Sequence, residues 1–184
     1  MVELSLIKIS EVFDEWAKEM KIPTRDIMFN VSREKPNEIT IYTDRPGIMI
    51  GKYGMLIEKY KQKFNLIIKE HNEIGEKIFK ERGYNFEKMD DVVLNIIEVT
   101  RANYWLNYDP MSECMWGDYM LQCEGYKMFH GIMMITPIGS VSDVTPFEVK
   151  GTFLYKPEYD CWYGNGVSYP AKICCVWEDE DDLR

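Results

Sequence analysis

Residues 45–54 read RPGIMIGKYG. Gly51 and Gly54 lack side chains, so another molecule's backbone can approach their main-chain amides closely. Between them stand Lys52, a formal cation, and Tyr53, a ring that can stack and a hydroxyl that can hydrogen-bond. A long helical pattern starts directly after Gly54, and the start of a helix offers unpaired N–H groups and a partial positive charge. Two glycines, a cation, an aromatic ring and a helix start thus fall together at one turn.

Other constellations are weaker. His71 falls on an apolar helical face and His130 in a Met- and Phe-rich strand, where packed imidazoles are expected. Cys161, Cys174 and Cys175 lack a zinc-site spacing, and adjacent cysteines on a strand point to opposite faces. The five cysteines are odd in number and show no CxxC, which suits reduced thiols. No cysteine has a base nominated beside it, and no Walker-type or dinucleotide-binding loop is present. The expectation is no catalytic residue, no metal and no cofactor: the chain is not read as an enzyme.

The elements that must carry the glycine pair are legible. Leu6, Ile9, Phe13, Trp16 and Met20 recur at steps of three and four, one face of a helix bounded by Pro23. DIMFNVSRE (26–34) and EITIYTD (38–44) alternate as strands around the turn Lys35-Pro36-Asn37. Pro46 suits the first turn of a short helix. Ile57, Tyr60, Phe64, Ile67, His71, Ile74 and Ile78 predict a long helix over 55–82, with Lys77, Lys80 and Arg82 near its negative end and Gly83 as cap. VVLNIIEVT (92–100) reads as a buried strand. Beyond Ala102 the strand candidates are 126–136, 147–155, 160–163, 167–169 and 171–177, with Gly164-Asn165-Gly166 fit for a tight hairpin.

The order helix, strand, strand, short helix, GKYG, helix, strand, carried on ITIYTDRPGIMIGKYGMLIEKYK and LNIIEVTR, resembles a type II KH domain, as in the KH protein of the small ribosomal subunit. The resemblance covers residues 1–101 and implies a KH-like α/β domain there, with the extended helix 55–82; residues 102–184 carry no such resemblance, and their strand candidates and acidic residues predict a β-rich, acidic C-terminal domain, an α+β chain in all. About forty residues separate Gly54 from Leu94, roughly twenty more than the ribosomal pattern. The resemblance further implies binding of single-stranded RNA or DNA. Gly51, Lys52, Tyr53 and Gly54 would hold the sugar–phosphate backbone, Ile48 and Ile50 would floor an apolar groove for unstacked bases, and Arg45 and Lys59 would flank the phosphate track.

Net charge is −9, which argues against a general nucleic-acid glue. It is unevenly spread: residues 102–184 hold five basic and 13 acidic residues, while Arg45, Lys52, Lys59, Lys61 and Lys63 crowd around the glycine pair. The acidic half, with Asp109, Glu113 and Asp118 as candidate contacts, suits a basic protein or nucleoprotein partner. An alternative function follows: a small acidic inhibitor of nucleic-acid machinery, of the phage-encoded anti-CRISPR kind. No apolar run approaches a membrane span and the N-terminus lacks a signal-peptide pattern, so no membrane partner and a cytoplasmic location are expected.

Overall fold

The computed structural model describes residues 4–23, 26–101, 104–106, 125–135, 147–170 and 174–178. The chain divides into two compact units, Met1–Glu98 and Val99–Arg184. Helix and strand are mixed in the first and strands dominate the second, an α+β chain.

The first unit opens with α1 (Leu6–Met20), capped by Ser5, whose Oγ accepts from the Lys8 amide at 3.4 Å. Strands β1 (Ile27–Val31) and β2 (Glu38–Thr43) form an antiparallel hairpin. The short α2 (Pro46–Ile50) and the long α3 (Met55–Glu81) then return the chain to β3 (Val93–Glu98), which pairs with β2 in parallel. Parallel neighbours require such a crossover. The register aligns Phe29 with Ile41 and Ile41 with Ile96, and likewise Val31, Ile39 and Leu94. These two rows share one core with Ile9, Phe13 and Trp16 of α1, Met49 of α2, and Tyr60, Phe64 and Ile68 of α3. The helices therefore cover one face of the sheet. Aromatic rings fix the layer: Trp16 stacks on Tyr60 at 4.8 Å, and Phe13 lies 4.3 Å from Phe29 and 5.0 Å from Phe64. Full burial of each such side chain contributes about 1.5–3 kcal/mol.

The buried face of α3 departs from the heptad-like expectation. Tyr60, Phe64 and His71 are buried, but so are Ile68 and Gly75, whereas Ile74 is 45% exposed and Ile67 and Ile78 are half-buried. A straight helix turns every 3.6 residues, so a 3.5-residue stripe drifts by about 20° per heptad. By the third heptad the drift has carried Ile74 off the core and Gly75 onto it. A Cβ at position 75 would overlap the Phe86 ring, so any larger residue there must displace that ring. Phe86 also lies against His71 (5.9 Å) and Phe79 (5.3 Å).

The added length between Gly54 and Leu94 goes into this helix and a strap that follows it. Asn72 grips the strap twice, donating from Nδ2 to Met89 O and accepting the Met89 amide at Oδ1, both at 2.9 Å. Asn65 Oδ1 accepts the Val92 amide at 2.7 Å. Main-chain groups of a segment outside helix and sheet thus find partners on α3.

The second unit is a sheet in the order β5 (Tyr104–Leu106), β10 (Cys174–Glu178), β6 (Lys127–Ile135), β7 (Phe147–Lys156), β8 (Cys161–Gly164) and β9 (Val167–Pro170), with β4 (Thr100–Arg101) pairing β6 in parallel. Phe129, Met133, Ile135, Phe153, Tyr155 and Trp162 form its core. Asn165 (φ 51°) and Gly166 (φ 76°) turn β8 into β9, the two positive angles that a two-residue hairpin of matching twist needs.

Candidate functional site

The site begins at Arg45, the N-cap of α2, whose amide donates to Thr43 Oγ1 at 3.1 Å. Its Nε lies 3.8 Å from Asp44 Oδ1, so part of its charge is met locally. Pro46 takes the first helical position, where its missing N–H costs nothing. Met49 is buried and anchors α2 in the core, which leaves Ile48 and Ile50 on the outer side, both exposed.

The backbone then breaks sharply. Gly51 adopts φ 74°, and a Cβ there would overlap Leu56 Cβ at 2.5 Å, so both conformation and packing require glycine. Lys52–Gly54 forms a single 3₁₀ turn, with Gly54 at φ 73°. A Cβ at Gly54 would meet nothing within 4 Å. That glycine answers to its backbone angle and leaves open space in front of the first turn of α3. No side chain caps this turn, whose one acidic residue is Glu58. The Gly54 amide donates to Gly51 O at 3.2 Å and the Met55 amide to Lys52 O, so the turn offers chiefly the positive end of the α3 dipole.

Tyr53 is the unusual member. It sits at φ 55°, ψ 25°, a left-handed conformation that costs a non-glycine residue about 1–2 kcal/mol. Its side chain is 88% exposed, so burial does not offset that strain. Lys52 Nζ lies 5.3 Å from the centre of its ring. Among the described residues Lys52 has no carboxylate partner. Met55, absent from the sequence-based candidates, follows Gly54 and is 72% exposed, adding a second apolar surface beside the loop. Its sequence signal is that of a large apolar residue off the helix's buried stripe.

Lys59 is placed differently from its neighbours in the motif. Its Nζ lies 2.6 Å from Glu19 Oε2 on α1, and Tyr60 Oη donates to the same oxygen at 2.5 Å. The hydrogen bond from Lys59, then that from Tyr60, holds the Glu19 carboxyl below its ordinary range. Burial, followed by the bond to Glu19, pushes the Tyr60 hydroxyl up. One turn on, Lys63 pairs with Glu15. The structure thus brings together Ile48, Ile50, Gly51, Lys52, Tyr53 and Gly54 around one loop, while Lys59 is engaged with α1.

His71 and His130 are both buried, the latter with Nδ1 2.9 Å from Thr152 Oγ1. Cys161 is a free, half-buried thiol, pushed up by burial and then by Asp160. Among the described residues no three His, Cys, Asp or Glu side chains group as metal ligands. Asp109, Glu113 and Asp118 lie outside the described residues.

No curated protein and no solved structure matches the chain. A family model does: that of the KH domain, over residues 9–103, which takes in most of α1, the three-stranded sheet and the whole glycine loop. KH domains are nucleic-acid-binding modules. With more than half its length matched and the glycine loop seated between two helices over that sheet, this chain belongs to the KH domain family.

Proposed function

We propose that the chain binds single-stranded RNA or DNA at the loop Gly51–Gly54. About four nucleotides would lie across it, the number such a loop clamps. Their phosphates would approach the main chain of the loop and the positive end of α3, with the Lys52 ammonium beside them. Arg45 would stand at the edge of this track. Unstacked bases would lie on Ile48, Ile50 and the ring of Tyr53. The observation that carries the reading is Tyr53: a strained, almost wholly exposed aromatic held between two positive-φ glycines. Strain of this kind persists where the surrounding structure enforces it, and it gathers at functional sites.

The acidic half favours a second reading. With 13 acidic residues against five basic ones, residues 102–184 suit contact with a basic protein, either as an added interaction or as the working part of an inhibitor of nucleic-acid machinery. One experiment separates the two. Fluorescence anisotropy with labelled single-stranded RNA and DNA and the corresponding duplexes, at low and moderate salt, is expected to show single-strand binding that weakens as salt rises. Absence of binding to any bare strand at low salt would overturn the loop reading and leave the inhibitor reading in place.

A further inference from the structure

Helices α1 and α3 are joined by a charge ladder. Lys8 meets Glu70 (2.5 Å), Glu15 meets Lys63, and Glu19 meets Lys59 (2.6 Å). Steps of seven and four along α1 match equal steps backwards along α3, so the helices run antiparallel and the order of signs fixes their register. The lower two rungs concern the loop. Lys59 and Lys63 lie roughly 7 and 13 Å along α3 from Gly54, at 1.5 Å per residue, within reach of a strand leaving the loop. Glu19 stands in the last turn of α1, where a carboxylate opposes its own helix dipole. It gains its partners from α3: Lys59 and the hydroxyl of the buried Tyr60 both donate to one oxygen. Tyr60 is itself fixed by its stack on Trp16.

We infer that Glu15 and Glu19 are selectivity determinants of the loop: they occupy Lys59 and Lys63, so the site takes unpaired strands held by main-chain amides, Lys52 and Tyr53, and turns away duplex and other polyanions. The inference rests on the proposed function. A phosphate reaching either lysine must displace a carboxylate already there, exchanging one ion pair for another with little gain. Surface pairs contribute little to stability, so the ladder has little to lose in folding if its carboxylates are neutralised. A duplex offers many phosphates but no exposed base faces, and with the lysines occupied it has little to hold.

The test is the salt dependence of binding by the full chain. Each phosphate contact on a single strand adds about −0.7 to the slope of log K against log salt. Glu15→Gln/Glu19→Gln, which keeps side-chain shape, is expected to steepen the single-strand slope by about 1.4 and to bring in duplex binding at low salt. Adding Lys63→Gln to that double variant should remove about half of the steepening. That reversal separates a freed lysine from a general loss of negative field. Circular dichroism verifies that each variant is folded; should the double variant not fold, the single Glu15→Gln is expected to steepen the slope by about 0.7 and to lose that gain when Lys63→Gln is added. An unchanged slope in the folded variant, or steepening that survives Lys63→Gln intact, overturns the inference while single-strand binding by the wild type keeps the loop reading. Absence of any strand binding by the wild type overturns both.

Discussion

Replacing Lys52 and Tyr53 together by aspartate is expected to weaken single-strand binding by about 100-fold or more while leaving the fold in place. Stacking of a base on an aromatic contributes about 1–3 kcal/mol, and a charge-assisted hydrogen bond about 1.5–3 kcal/mol. Losing both amounts to two or more decades in affinity. The new carboxylates would also stand where phosphates approach. Little stability is at stake, because both side chains are exposed and Tyr53 already carries a left-handed backbone, which aspartate tolerates better than tyrosine. Anisotropy for binding and thermal melting for the fold check the two halves of this expectation. Unchanged affinity in a folded variant contradicts it.

The second large effect is on stability. Phe64 is buried at the centre of the helix layer, 5.0 Å from the Phe13 ring, and Phe64→Ala is expected to destabilise the first unit by ~3–5 kcal/mol through lost burial and a residual cavity. Ile74→Ala, on the same helix but half in solvent, should cost far less, of order 0.5–1 kcal/mol. Denaturant unfolding monitored by helix signal measures both. Equal losses from the two would mean that the buried face follows the seven-residue stripe through Ile74 after all.

That contrast also shows which parts of the structure can be read from residue order. Alternation exposed β1 and β2, because a half-buried strand writes its two faces directly into the sequence. The glycine loop was legible because no other residue combines positive φ with close approach, as Gly51 shows against Leu56. The burial of Ile68 and Gly75 was not, since a stripe of period 3.5 and a helix of period 3.6 agree over one heptad and part over three. Nor did the strap announce itself: Asn65 and Asn72 hold it by side-chain bonds to main-chain groups, which leave no periodic trace. The short strands β4 and β5 are pairing events too brief for a pattern. The charge ladder does leave a trace in residue order. Glu15 and Glu19 on one helix and Lys59 and Lys63 on another share a four-residue step with opposite signs, so two members of the basic cluster counted along the chain, Lys59 and Lys63, are already matched across space.

The net charge of −9 takes on meaning in the same way. It argues against indiscriminate binding, and the ladder shows how a site rich in lysine by sequence can present fewer free cations than a count along the chain suggests, with Lys59 and Lys63 both paired. A loop working through amides and an exposed ring needs no strongly positive field, so an acidic chain and a strand-binding loop are compatible.

The most direct measurement is the perturbation of backbone amide resonances in the isotope-labelled 184-residue chain, titrated with a short single-stranded oligonucleotide. Ligand-induced shifts should gather at Gly51, Lys52, Tyr53, Gly54 and Met55, with smaller ones at Ile48 and Ile50. Shifts that leave these amides unmoved and gather instead in the second unit, or the absence of shifts at saturating oligonucleotide, would contradict single-strand binding at this loop.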